Sequence, residues 1–209
     1  MLRADFFERP APLLAPDFIG KALIRRQNGN LLVGIITETE AYQGQEDLAC
    51  HARIGITKRN QVMYGEAGRA YIYFTYGMHW LLNIVADQVN NPAAVLIRAV
   101  FPLAGAETMA LRRPHLAHSS QWLNGPAKLT QAFGIDGSLN GHDVRENGSG
   151  LYLTEALDVP KDKIQSSPRI GLGTTPEPWL SVPWRWELGW QDVKDLIAEQ
   201  KKEVFNAVF

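Results

Sequence analysis

"KALIRRQNGNLLVGIITETEAY", Lys21 to Tyr42, decides how the rest of the chain is read. Lys21–Gln27 and Leu31–Tyr42 are rich in apolar and β-branched residues. They flank Asn28-Gly29-Asn30, whose Asn-Gly pair tolerates the positive φ that tight hairpin turns require. The stretch therefore reads as two antiparallel strands. The second strand ends oddly: Leu31-Leu32-Val33-Gly34-Ile35-Ile36 is followed by two glutamates, whose carboxylates suit no core, and by a tyrosine. Residues two apart on a strand share a face, so Glu38, Glu40 and Tyr42 point one way and Thr37, Thr39 and Ala41 the other. One face offers acid, acid, aromatic, and Glu46, Asp47 and His51 follow. Two readings stay open, a strand end with its charges in water and the wall of a pocket.

Working outward, Pro10, Pro12 and Pro16 leave room for only a short helix near the N-terminus. A charged loop is expected from Gln43 to Glu66. Gly68–Tyr76, Gly77-Met78 and His79–Ala86 form a second hairpin candidate, rich in aromatic and β-branched residues. Ala94–Val100 reads as a further strand and Leu103–Arg113 as a helix stopped by Pro114. Asn124–Gly134 reads as a helix with an Asn cap, an early proline and a terminal glycine. Short strands are expected near Leu151–Thr154, Ile164–Leu172 and Trp184–Leu188, and an amphipathic helix over Gln191–Asn206. Hairpins rather than helical crossovers join the strands. The expected fold is α+β, one domain over residues 1–209, with a mainly antiparallel curved β-sheet and surrounding helices.

The totals narrow the function. The chain has 209 residues, 45% apolar and 21% charged, with 21 basic and 22 acidic side chains and a net charge of −1. This is the composition of a globular protein with a real core. It exerts no global pull on polyanions, so any nucleic-acid role must rest on a local basic surface. The single cysteine, Cys50, forms no internal disulfide and no thiolate cage. No stretch has the length of a signal peptide or a membrane span. A cytoplasmic protein with no membrane association is expected, and Asn147-Gly148-Ser149 is then a chance sequon. His115-x-x-His118 sits in a polar stretch without further ligands, where structural zinc needs four, so no metal site is expected. Gly171-x-Gly173 lacks the third glycine and the setting of a dinucleotide fingerprint. Trp184, Trp186 and Trp190 read as packing residues.

A positioned glutamate can take a proton from water, an effect worth about 10²–10⁴ in rate. A tyrosine beside it can hold a flat ring by stacking, roughly 1–3 kcal/mol per nucleobase. Tyr71 and Tyr73 share a strand face, and Tyr76 falls on the opposite parity or in the turn; they could equally belong to a core. The segment His51–Asn60 carries Arg53, Lys58 and Arg59 beside Thr57, and suits either a phosphate grip or a solvated surface. Glu38 and Glu40 as a glycosidase pair are disfavoured, because neighbours on one strand do not flank a scissile bond.

Seven blocks carry a resemblance in order: "ETEAY" at Glu38–Tyr42, His51, "TKRN" at Thr57–Asn60, "YIYFTYGMHWLLN" at Tyr71–Asn83, "VLIRA" at Val95–Ala99, "NGPAKL" at Asn124–Leu129 and "RIGLG" at Arg169–Gly173. Together they resemble the alkyladenine (3-methyladenine) DNA glycosylase family over most of the chain. The resemblance implies that Glu40 is the general base activating the water that attacks C1′, that Arg98 helps hold that water, and that the backbone carbonyl of Ile170 assists. It implies that Tyr42 and Tyr73 sandwich an extruded base, with His51 on its edge, Asn83 obstructing the amino group of guanine and Leu96 in the pocket wall. Tyr76 would wedge into the minor groove, and Arg53, Thr57, Lys58 and Arg59 would contact the DNA backbone. The implied partner is double-stranded DNA containing damaged purines, bound by a monomer, with no cofactor.

The chain departs from the family pattern at Lys58, where a proline is expected, and at Ile56, near a position that is basic in some members. Both touch the phosphate-gripping loop and not the chemistry. The matching residues place no amine nucleophile, which implies an abasic product with an uncut strand. A noncatalytic damage-binding module with the same pocket is the alternative, although it would have no need of Glu40 and Arg98.

Overall fold

The computed structural model describes residues 2–114 and 121–208, so His115 and His118 lie outside the described residues. The first hairpin forms as its turn requires. β1 (Ala22–Gln27) and β2 (Asn30–Gln43) pair in antiparallel register through Asn28 and Gly29, with φ of 52° and 76°. β2 is the spine of an eight-stranded sheet. Along one edge it pairs with β5 (Ala93–Ala104), and along the other with β1 and then, at Glu38–Glu40, with β8 (Arg185–Leu188). The order is β3 (Ala70–Thr75), β4 (His79–Ala86), β5, β2, β1, β6 (Leu151–Thr154), with β7 (Ile164–Ser167) on β8. Every pairing is antiparallel, as the α+β expectation holds. Three register shifts, at Val33/Gly34, Ile36/Glu38 and Glu38/Thr39, interrupt the ladder between β2 and β5.

The main core lies on one face of this sheet. Ala70 and Ile72 of β3, Leu82 and Ile84 of β4, Val95 and Ile97 of β5 and Ala41 of β2 are buried there with Phe7, Leu14 and Phe18. These last three come from α1 (Ala4–Phe7), α2 (Ala11–Leu14) and a 3-10 turn at Pro16–Phe18. Thr39 donates its hydroxyl to the Ala15 carbonyl at 2.9 Å, which satisfies the one polar side chain that β2 turns that way at this level. Trp184 and Trp186 pack against the same core, and Trp190 packs at a tilt against Phe101 with centroids 4.5 Å apart.

Several boundaries differ from the sequence expectation. The charged loop contains 3-10 turns at His51–Ile54 and Gln61–Tyr64. β5 runs on through Pro102 to Ala104, so α3 spans only Ala106–Arg112. Pro102 fits because it faces Gly34 beside a register shift, where a ladder donor is dispensable. Asn124 does not cap α4 (Pro126–Phe133): Gly125 does, while the Asn124 side chain accepts from Lys128 at 2.8 Å. Gly134 ends that helix in the left-handed conformation, as expected. Strand β7 stops at Ser167, not Leu172. The C-terminal helix is split into α5 (Trp190–Glu199) and α6 (Lys201–Val208) at Gln200, whose side chain bonds both the N–H and the carbonyl of Asp158 at 2.8 Å. None of the helices among the described residues is long and apolar enough to cross a membrane.

Candidate active site

The period-2 rule that sends Ile97, Leu82 and Ile72 into the core sends their neighbours to the other face. Register then aligns them: Tyr71 lies opposite Asn83, Asn83 opposite Leu96 and Leu96 opposite Glu40, one row across four strands. Tyr42, Tyr73, Leu81, Ala94 and Arg98 extend this face. The loop after β2 covers its far side with Cys50, Ala52 and Met63, which form a second, smaller apolar cluster with Tyr71, Val85 and Ala94. The result is a cleft of about 440 Å³ bordered by Glu40, Tyr42, His51, Arg53, Tyr73, Tyr76, Asn83, Leu96, Arg98 and Ile170. The expected catalytic and base-pocket residues thus meet in one place, drawn from four strands and two loops.

Glu40 is fully buried, in the wall of this cleft and not in the main core. Its Oε1 accepts the Ile170 N–H at 2.6 Å and lies 3.2 Å from Arg98 Nη1, while Oε2 accepts the Tyr42 hydroxyl at 2.8 Å. Ile170 was expected to act through its carbonyl; here its N–H holds the carboxylate. Burial raises the Glu40 pKa above the ordinary carboxylate value, against the opposing pull of Arg98, the Ile170 amide and the Tyr42 hydroxyl. A carboxylate has about four acceptor sites. Three are engaged, so Oε2 keeps one acceptor site among the described residues. Such a group can orient and deprotonate a small donor brought against it.

Arg98 is fixed from behind. Its Nε donates to Glu38 Oε1 at 2.7 Å, and Arg185 Nε donates to the same oxygen at 2.6 Å. Glu38 is therefore no solvated strand end but a bridge between two guanidiniums. Burial opposes the charge on Arg98, and Glu40 and Glu38 more than offset it, leaving its pKa raised.

The aromatic walls are also held by cations. The Arg169 guanidinium lies 4.8 Å from the Tyr42 ring centroid, and that of Arg59 lies 5.0 Å from the Tyr73 centroid. Arg59, expected on the DNA backbone, also donates to the Phe74 carbonyl at 3.1 Å and so leans toward the cleft wall. His51 stands edge-on to Tyr73, centroids 4.5 Å apart, with its Nδ1 2.8 Å from the Tyr71 hydroxyl. Burial, Arg59 and Arg53 lower the His51 pKa to about 4, so the ring is neutral at pH 7. Burial likewise pushes the Tyr73 hydroxyl up to about 12. Asn83 donates to the Tyr71 carbonyl at 3.1 Å, which fixes its amide in the cleft floor.

At the rim, Tyr76 is 83% exposed at the tip of the β3–β4 hairpin. It has φ of 51° and Gly77 has φ of 66°. Glycine takes that conformation freely, whereas an aromatic residue does so only under strain. Arg53 and Lys58 are exposed on the neighbouring loop. Thr57 is turned partly inward, its N–H donating to Asn60 Oδ1 at 2.6 Å. The Asn60 amide donates in turn to the carbonyls of His51 and Gly55 at 2.9 and 2.8 Å. Asn60 thus ties the basic loop together, a role that nothing in the local sequence signals. Asp47 and Arg169 were also missed: their side chains are fully buried and form a bidentate pair at 2.6 and 2.9 Å across 122 positions of chain. No cluster of potential metal ligands occurs among the described residues.

Comparison with known proteins agrees with this geometry. A protein of Carboxydothermus hydrogenoformans named "Putative 3-methyladenine DNA glycosylase" is 43% identical over 188 residues, 90% of this chain and 95% of its own length. Identically named proteins of Methanocella arvoryzae and Chlorobaculum tepidum are 43% and 44% identical, over 89% and 82% of this chain and 91% and 81% of theirs. The family model for methylpurine-DNA glycosylase matches residues 5–191, from α1 into α5, and so includes every strand that builds the cleft. With its cleft, its buried glutamate and this match along most of its length, the chain belongs to the methylpurine-DNA glycosylase family.

Proposed function

We propose that this protein excises alkylated purines from double-stranded DNA by rotating the damaged nucleotide into the cleft and hydrolysing its N-glycosidic bond. The observation that carries the reading is the Glu40 carboxylate, anchored by Ile170, Arg98 and Tyr42 in the wall of a cleft flanked by tyrosines. A base within a duplex hides its sugar carbon, so the enzyme must extrude it at a cost of a few kcal/mol. Stacking against Tyr42 and Tyr73 and insertion of Tyr76 offset that cost. Alkylation at N3 or N7 makes the purine cationic, hence a good leaving group and a ligand attracted to tyrosine π faces by about 0.5–2 kcal/mol each.

Glu40 takes a proton from a water as its oxygen bonds to C1′, and the base departs with the electrons of the broken C–N bond. Arg98 orients both partners. Arg53, Thr57 and Lys58 grip the backbone beside the cleft. The protein acts as a monomer and uses no amine nucleophile, so the product is an abasic site in an uncut strand.

The test is product analysis on duplexes bearing 3-methyladenine, 7-methylguanine or hypoxanthine. Free base and an alkali-labile, otherwise intact strand are expected, with no adduct trapped by borohydride. No release by folded protein from any of these duplexes would overturn the reading. A trapped adduct would replace water with an amine. Lesion binding without turnover would favour the noncatalytic damage-binding module.

A further inference from the structure

The Asp47–Arg169 pair lies behind the reactive wall, against the Tyr42 ring and the backbone next to Glu40, and neither residue lines the cleft. Arg169 Nη1 and Nη2 grip the two carboxylate oxygens of Asp47 at 2.6 and 2.9 Å. Nη1 also donates to the carbonyl of Ala41, the residue between Glu40 and Tyr42, at 2.9 Å, and Nη2 to the carbonyl of Trp179 at 3.1 Å. The same guanidinium lies against the Tyr42 ring, 4.8 Å from its centroid, and 5.2 Å from that of Trp184. Asp47 in turn accepts the N–H of Gln43 at 3.2 Å and of Ala49 at 3.0 Å, which pins the loop leading to His51. The next residue after Arg169 is Ile170, whose N–H meets Glu40 at 2.6 Å.

Three separate segments, the end of β2, the loop after it and the stretch beyond β7, are thus keyed to one ion pair. Two full charges with no solvent are expensive to bury, and an apolar pair of similar volume often serves stability as well. Stability alone therefore gives little reason for these residue types. A planar fork gives a reason, since it fixes direction at several acceptors at once, which a lysine cannot do.

We propose that Asp47 and Arg169 are positioning residues that set the Glu40 carboxylate, through the Ile170 amide, and the plane of Tyr42, through the guanidinium behind it. The proposal rests on the glycosylase reading for its effect on rate, and on geometry alone for its effect on Glu40. The charged and titratable groups facing that carboxylate are Arg98 from β5, Glu38 and Tyr42 from its own strand, and Tyr73 from β3. None of these changes in the variants below.

The experiment compares the wild type with Arg169→Lys and with the double variant Asp47→Asn/Arg169→Met, which leaves no unpaired charge and keeps an acceptor for the loop. Two readouts are taken. In the first, the Ile170 amide is followed by NMR across pH: in the wild type it reports the ionisation of Glu40, and in both variants that response disappears. This readout needs no activity. In the second, single-turnover release from a 3-methyladenine duplex falls about 100-fold in both variants, well beyond the weaker lesion binding that a loosened Tyr42 brings, and the acid limb of the pH–rate profile moves upward because Glu40 has lost a donor. If the double variant melts like the wild type and keeps both the Ile170 response and the rate, the pair is structural only and the proposal fails. If the NMR response is lost as expected while the wild type releases no base, the glycosylase reading fails and the positioning role stands.

Discussion

The two faces of one sheet set the same backbone to opposite uses. On the core face of β2–β5 lie Ala41, Ile97, Val95, Ile84, Leu82 and Ile72, all but sealed from solvent and packed with Phe7, Leu14 and Phe18. One residue along each strand, on the cleft face, lie Glu40, Tyr42, Arg98, Leu96, Asn83, Tyr73 and Tyr71. The core face lowers the free energy of folding by removing apolar surface from water. The cleft face buries a carboxylate with a raised pKa and a histidine with a lowered one, both of which fold at a cost, around a guanidinium whose charge its carboxylate partners sustain. A chain selected for stability alone would not fill alternate positions this way. Departures from local rules gather where function is carried.

The contrast is sharpest for Glu40 and Ile97, diagonal neighbours on two paired strands that point to opposite faces. Glu40→Gln keeps shape and the acceptor for the Ile170 N–H, turns the Tyr42 hydroxyl from donor to acceptor, and removes the base. Base release should fall by about 10²–10⁴-fold, while the thermal midpoint stays level or rises, because a costly buried charge has gone. Ile97→Ala, on the other face, should do the reverse. It should cost about 2–5 kcal/mol in denaturant unfolding, with the rate per folded molecule unchanged. A Glu40→Gln protein that lost stability and kept its rate would erase the distinction.

The hairpins repeat the comparison on a smaller scale. Both turns place positive φ at their two central residues, Asn28-Gly29 in one and Tyr76-Gly77 in the other. Asparagine and glycine adopt it readily, whereas a tyrosine there is strained by roughly 1 kcal/mol. Tyr76→Asn should stabilise the fold by about that amount and slow base release roughly tenfold through loss of the wedge. Equal stability and equal rate in that variant would remove the reason for the strain.

His51 gives an effect that is read as pH dependence and not as rate. Its folded pKa is lowered to about 4 from an ordinary 6.5, so between these values the unfolded chain binds a proton that the folded one refuses. Stability is full above pH 6.5, falls as the pH drops through that window and stops falling for this reason below about 4. His51→Gln should flatten the curve of unfolding free energy in that interval. An unchanged slope would mean that the ring is not held neutral.

Much of this was legible in the chain itself. Alternation from Thr37 to Tyr42 put Glu38, Glu40 and Tyr42 on one face, and the Asn-Gly turn paired that strand with β1. The two hairpins, β5 and the glycine end of α4 followed from local chemistry. What escaped depends on contacts between distant segments. Pro102 reads as a stop unless Gly34 is known to lie across from it. Asn124 reads as a cap until its side chain is seen with Lys128. The periodicity of Gln191–Asn206 continues through Gln200, and only the bonds to Asp158 account for the break. Asp47 looked like one more charge in a polar loop, because its partner lies 122 residues away.

The most direct test of the whole account is the single-turnover rate of 3-methyladenine release from a duplex across pH 4–9, for the wild type and Glu40→Gln side by side with lesion affinity. The wild-type rate should climb to a plateau as a single carboxylate ionises above its usual pKa, and the Glu40→Gln protein should bind the lesion but be slower by about two or more orders of magnitude with no such climb. Equal rates in the two proteins, or the same acid limb in both, would contradict it.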